Sequence, residues 1–208
     1  MKDFVLGLDL GQAQDYTALT VVEQTGSGPE RSASGEEPKS YHLRHVERFE
    51  LGAPYPDQVR RVAALMESEP LATEGAELVV DQTGAGRPVV DLFREAGLDP
   101  IGVTITGAGS ATRDGRNHRV PKKDLVSTVQ ALLQTGRLRF AEGLAMANVL
   151  REELQNFRAK VSVDTGHASF EHWRERDHDD VVLALALACW YGERGRGFSF
   201  GFGVPVRV

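Results

Sequence analysis

Cysteine is nearly absent. The one residue, Cys189, leaves no partner for an internal disulfide and no thiolate set for zinc, so any metal chemistry falls to oxygen ligands. Its neighbours are Ala, Leu and Trp, which makes it a small core residue. No apolar run is long enough to cross a membrane, and the opening MKDFVLGLDLG lacks the charged, apolar and cleavage regions of a signal peptide. A cytoplasmic protein is expected. Excess positive charge is also missing: Lys and Arg number 24 against 30 Asp and Glu, a formal net charge of −6, which excludes a protein that coats nucleic acid indiscriminately. There is no internal repeat and no convincing second-domain boundary, and 208 residues suffice for one well-buried core.

What is present reads as alternating elements. FVLGLDL is a short apolar run of the kind covered on both faces of a sheet, and TALTVVEQ and SYHLRHVERFEL follow as second and third strands. The Gly, Ser, Pro and Glu rich segment between the last two predicts a hairpin loop, and the short connections favour antiparallel neighbours. The period then changes. Val59, Val62, Ala63 and Met66 share a helical face, AELVVDQT is a fourth strand, GRPVVDLFREAG is a helix closed by Gly97, and DPIGVTITG is another strand. A helix starts near Pro121 with Leu125, Val129, Leu132 and Leu133 inward; GRLRFA adds a short strand, GLAMANVLREELQNFRA is helical, and a last helix runs from Asp179. The expected fold is α/β: a mixed sheet of three antiparallel strands and then parallel strands, with helices on both faces. The domain is expected over residues 4–194, with a hairpin near 159–173 turning at Asp164 to Gly166, and a Gly and aromatic rich tail over 195–208.

The chemistry lies in the acids. Asp9 ends the first strand and Asp81 the fourth, and functional groups of open α/β sheets gather outside the carboxyl ends of strands. If those strands are parallel neighbours, about 4.8 Å separates their axes and their carboxylates can share one ion. Asp179 and Asp180 at the start of the closing helix reach the same edge, one as ligand and the other as cap or outer group, and their spacing does not say which. Asp15 is either an outer ligand or a turn residue, and His178 reads as a capping neighbour. Clustered carboxylates raise one another's pKa values unless a divalent ion is bound, and hard oxygen donors suit Mg²⁺ or Mn²⁺. A second feature is basic: RDGRNHRVPKK carries Arg113, Arg116, Arg119, Lys122 and Lys123 against the single acid Asp114, a local face for phosphate or a solvated loop.

Four stretches, GLDLGQAQDYTALTVVE, LVVDQTGAGRPVVDLFREAG, VPKKDLVSTVQALLQTGRLRF, and LREELQNFRAK running to HDDVVLALALACW, together resemble the nuclease domain of the large subunit of tailed-phage terminases, the viral DNA-packaging motors. They lie in the right order between Phe4 and Trp190. The resemblance implies an RNase H-like fold and endonucleolytic cutting of concatemeric double-stranded DNA with two Mg²⁺ or Mn²⁺ ions. It places Asp9 at the first-strand ligand position, Asp81 at the fourth-strand position, Asp180 with Asp179 beside it at the closing helix, and Asp15 at an additional acid of some members. In two-ion chemistry Asp9 would bridge, Asp81 and Asp180 would hold one ion each, and Asp15 or Asp179 would orient water or ligands. Arg113, Arg116, Arg119, Lys122 and Lys123 would hold the DNA backbone, and the hairpin around Asp164 would guide DNA. It also implies a terminase ATPase domain, a small terminase subunit and a portal protein as partners, and the bacterial host cytoplasm as the place of action. No G-x-x-x-x-G-K-[ST] loop occurs, so the chain is not expected to be a motor alone, but an excised domain or a free-standing relative.

Three rivals stand beside this reading. GLDLGQAQDYTAL also looks like the first phosphate loop of actin-like ATPases, although no second phosphate motif accompanies it. A Holliday-junction resolvase would use similar acids on branched DNA. A non-catalytic DNA or portal-binding module would need several acids at one sheet edge by coincidence.

Overall fold

The computed structural model describes residues 3–11, 15–26, 38–84, 86–163 and 179–194. Strand β1, Asp3–Asp9, lies inside the sheet because its side chains are apolar on both faces. It pairs antiparallel with β2, Ala18–Thr25, and parallel with β4, Ala76–Asp81. Strand β3, Ser40–Arg48, continues the antiparallel side, while β5, Ile101–Thr106, continues the parallel side. Three short strands complete the sheet: β6, Thr112–Asp114, β7, Asn117–Pro121, and β8, Leu138–Phe140. Among the described residues the order is β6-β7-β5-β4-β1-β2-β3-β8, eight strands in a mixed sheet, and a mixed sheet is what the sequence predicts.

Helices cover both faces. Alternation along β1 sends Phe4, Leu6 and Leu8 into one core, with Leu78 and Val80 of β4, Val59 and Val62 of α1 (Tyr55–Met66) and Val89 and Phe93 of α3 (Gly86–Glu95). A single turn, α2 (Leu71–Glu74), adds Leu71 to it. Helix α3 ends as the sequence predicts, with Gly97 at φ 81° and the Leu98 N–H donating to the Phe93 carbonyl at 3.0 Å.

The opposite core holds Val5 and Val79 under α4 (Lys122–Gln134), α5 (Ala147–Val163) and α6 (Asp180–Arg194). Every residue from Val181 to Trp190 is buried, because α6 lies on β1 and β2 with α4 and α5 at its sides. No helix among the described residues is long and apolar enough to cross a membrane.

Three expectations change. The basic segment is not a loop: β6 and β7 pair antiparallel, and β7 extends the parallel side. Its charged residues masked the strand period. In α4, Val126 is buried and Leu133 is 38% exposed, since the burial stripe drifts toward the next residue row. Residues 159–163 belong to the end of α5, not to a hairpin; the rest of that hairpin, its turn at Asp164, and the tail 195–208 lie outside the described residues.

Gly7 lets α6 sit down on β1. A Cβ there would stand 1.9 Å from the Ala184 carbonyl oxygen, a backbone atom that cannot swing aside. Gly7→Ala is therefore expected to lower stability by about 1–3 kcal/mol or more, the scale of overpacking a closed core. Urea denaturation would read this as an earlier midpoint with an unchanged slope; an unchanged midpoint would mean that α6 can rise off the strand at no cost.

Candidate active site

Strand alternation that buries Val5 under α6 also turns Gly7 and Asp9 toward α6. In β4 the same period turns Val79 and Asp81 that way. The parallel register runs from Phe4 opposite Ala76 to Leu8 opposite Val80, so Asp9 and Asp81 are the next pair at the strand ends. Helix α6 starts directly above them with Asp180 as its first residue, and the Asp179 carbonyl accepts the first helical bond, from Leu183 N–H at 2.9 Å. Three elements thus bring four carboxyl groups to one edge.

Each acid is held differently. The Asp81 carboxylate accepts Thr83 N–H at 2.7 Å and the Thr83 hydroxyl, and that hydroxyl oxygen in turn accepts Ile105 N–H at 2.7 Å, which ties the turn after β4 to β5. Asp180 Oδ2 lies 3.1 Å from Arg48 Nη2, and Asp179 Oδ2 lies 3.5 Å from Lys122 Nζ. Arg48 also reaches Glu153 Oε1 at 2.5 Å, while Glu153 Oε2 accepts Val182 N–H at 2.9 Å. Glu153 of α5 therefore satisfies a first-turn donor of α6 from outside the helix.

Burial pushes the Asp9 carboxyl well above the ordinary 3.8, and the charges of Asp81, Asp179 and Asp180 push it further, against a smaller downward pull from Lys122. Glu153 is pushed up to about 7 by burial, against the Val182 N–H and Arg48. Among the described residues no three Asp, Glu, His or Cys side chains stand grouped as a ready-made ion site. The donor chemistry nevertheless fits a hard divalent cation: four carboxylates without a thiolate, in a place where burial and mutual repulsion already oppose the ionised form of Asp9.

Of the residues expected at the site, the structure brings together Asp9, Asp81, Asp179 and Asp180, with Lys122 beside them. Asp15 is exposed at the bend after β1 and is not among the acids acting on Asp9. Arg113, Arg119 and Lys123 are exposed. Arg116 departs from the group, pairing with Glu77 at 3.0 Å and Asp99 at 3.0 Å toward the opposite end of the parallel strands from Asp81. His178 lies outside the described residues. Arg48 and Glu153 were not singled out from the sequence, because each sits in a run of charged residues whose one inward member is set by the tertiary fold.

Residues 6–191 match the family described as Terminase RNaseH-like domain. The chain is 24% identical over 186 residues to the terminase large subunit of Thermus phage G20c, and equally so to that of Thermus virus P23-45. The match takes in 89% of the chain and 31% of each relative, so the chain spans about a third of their length. Among solved structures, the large terminase nuclease from the thermophilic phage G20c superposes with a TM-score of 0.56 at 22% identity, over 90% of this chain and 81% of that one, a likeness of fold.

The raised pKa of Asp9 gives stability a pH dependence of known sign. Folded protein keeps a proton on Asp9 that the unfolded chain releases above 3.8, so this contribution is present at low pH and is lost as pH rises through the raised value. In EDTA, Asp9→Asn should therefore be more thermally stable than the unsubstituted protein at neutral pH, with the gap closing toward pH 4 or so. A gap in melting temperature that does not vary with pH would show that Asp9 ionises normally.

Proposed function

The chain belongs to the terminase RNase H-like domain family, and on that premise we propose that it is a metal-dependent DNA endonuclease domain of a viral DNA-packaging terminase. The observation that carries this reading is the meeting of Asp9 and Asp81, from adjacent parallel strand ends, with Asp180 at a helix start. Acids so placed contribute nothing to packing and repel one another, an arrangement that makes physical sense around a cation.

Asp9, Asp81 and Asp180 would hold two divalent ions, Mg²⁺ or Mn²⁺, with Asp179 beside them orienting ligands or water. Bound there, the ions would supply an acidified water for attack and charge neutralisation at the departing 3′ oxygen. The protein's own part is positional. Thr83 fixes the rotamer of Asp81 through two hydrogen bonds, so that carboxylate needs no reordering when substrate arrives. Glu153 and Arg48 fix the start of α6 and with it Asp180. Lys122 balances charge at Asp179, and the exposed Arg113, Arg119 and Lys123 would hold phosphates without reading bases, leaving little sequence preference. Arg116, committed to Glu77 and Asp99, is set apart from that face.

The substrate in this reading is double-stranded concatemeric DNA in the bacterial host cytoplasm. The terminase ATPase domain, the small terminase subunit and the portal protein would be its partners, and since an unrestrained nuclease would destroy the genome being packaged, full activity would require them.

Nicking of supercoiled plasmid in Mn²⁺ tests the reading. EDTA should stop it, and Asp81→Asn should slow it by about a hundredfold or more, the scale on which one charge partner of a transition state acts. Cleavage by Asp81→Asn at the original rate would remove Asp81 from the chemistry, and comparison of linear with four-way DNA separates a terminase from a resolvase.

A further inference from the structure

Arg48 stands where simple strand alternation would not put it. Tyr41 and Leu43 of β3 point to α6, and unbroken alternation would send His45 and Glu47 after them and turn Arg48 to the other face. The pairing of β3 with β2 slips at one point: Val22 faces Leu43 and Val21 faces His45, which leaves Arg44 as an extra residue. That bulge hands the α6 face to Val46 and Arg48, and Glu47 instead meets Arg61 of α1 on the far side at 2.8 Å. In the resulting register, Asp9 faces Ala18 and Ala18 faces Arg48. Along that row the positions of the acid and the arginine are separated by one small residue, Ala18.

Once there, Arg48 is held on three sides. Glu153 Oε1 lies 2.5 Å and Asp180 Oδ2 3.1 Å from Nη2, and the guanidinium carbon is 4.8 Å from the centre of the Tyr16 ring. The Arg48 and Glu153 side chains are 15% and 5% exposed, so the charge is largely removed from water. One of the four carboxylates at this edge is thus engaged by a fixed internal cation.

We propose that Arg48 is a built-in competitor for the metal: its guanidinium, anchored by Glu153, holds Asp180 in the ion-free protein, and a divalent cation gains Asp180 only by displacing that contact. Arg48 is a positioning residue in this scheme. It keeps the helix start ordered without metal and sets how much free cation is needed before the site fills. This rests on the metal-site reading above, and the restraint expected of a packaging nuclease would then be partly intrinsic to this fold.

The test is Mn²⁺ titration by calorimetry on the full chain, without DNA. Arg48→Met and Arg48→Gln remove the charge, the second keeping a hydrogen-bond donor in case the first does not fold. Each folded neutral variant should bind Mn²⁺ about tenfold or more tightly than the unsubstituted protein, as expected when a cation is taken from beside a carboxylate. Arg48→Lys, which keeps the charge, should not show the gain, and the gain should vanish in an Asp180→Asn background. Equal or weaker binding by natively folded Arg48→Gln overturns the proposal, since an arginine that only props up Asp180 would lower affinity when lost. Absence of Mn²⁺ binding in the unsubstituted protein and every variant would overturn the metal site itself, whereas equal binding in all of them overturns the role of Arg48 alone.

Discussion

Everything at the carboxylate edge depends on how closely α6 seats on β1. The helix backbone at Ala184 comes down where Gly7 has no side chain, and Asp180 one turn earlier is thereby set above Asp9, two residues further along the same strand face. Apolar burial supplies the force: ten consecutive residues of α6 are buried, from Val181 to Trp190. Those residues do nothing chemical. They drive a helix start carrying two acids into a place that acids would otherwise avoid. The far end is pinned as well, by Glu193, which accepts Tyr41 O–H at 2.6 Å and Arg137 N–H groups at 3.0 and 2.6 Å.

Placing four acids together would be untenable without compensation, and the fold supplies it from both flanks. Arg48 enters from the antiparallel side of the sheet and Lys122 from the parallel side, each against one of the two helix-start acids. The downward pull of Lys122 on Asp9 is smaller than the burial and the carboxylate charges that oppose it, so Asp9 remains the group where the cost of ionisation gathers. This is the pattern of a site whose electrostatics are balanced at its rim and strained at its centre, and strained titratable groups gather where chemistry is done.

Much of the fold was legible in the sequence because its central elements are the most apolar ones. FVLGLDL and AELVVDQT read as buried strands and carry the acids of the candidate site at their strand ends, and the DHDDVVLALALACW run marks both the closing helix and its start. What escaped were features decided by partners far away in the chain. The strand Asn117–Pro121 carries His118 and Arg119 in place of apolar alternation, and only its pairing with β5 makes it a strand. Arg48 turns inward because of a one-residue slip opposite Val21 and Val22, and no local pattern in SYHLRHVERFEL announces that slip. Glu153 serves α6 from another helix, so its capping role has no local sequence signature at all.

The basic segment separates into two uses along a single strand. At the start of β7, Arg116 pairs with Glu77 and Asp99 and fastens the edge hairpin to the rest of the sheet. At its end, Lys122 opens α4 and lies beside Asp179. The first turn of a helix is the wrong place for a cation by about 0.3–1 kcal/mol, because the helix dipole is positive there. A lysine in that position is unexplained by α4 itself, and becomes explicable once the neighbouring helix start and its two acids are included. The residue answers to the carboxylate edge and not to its own helix, and such violations of a local rule mark the places where a fold serves something besides its stability.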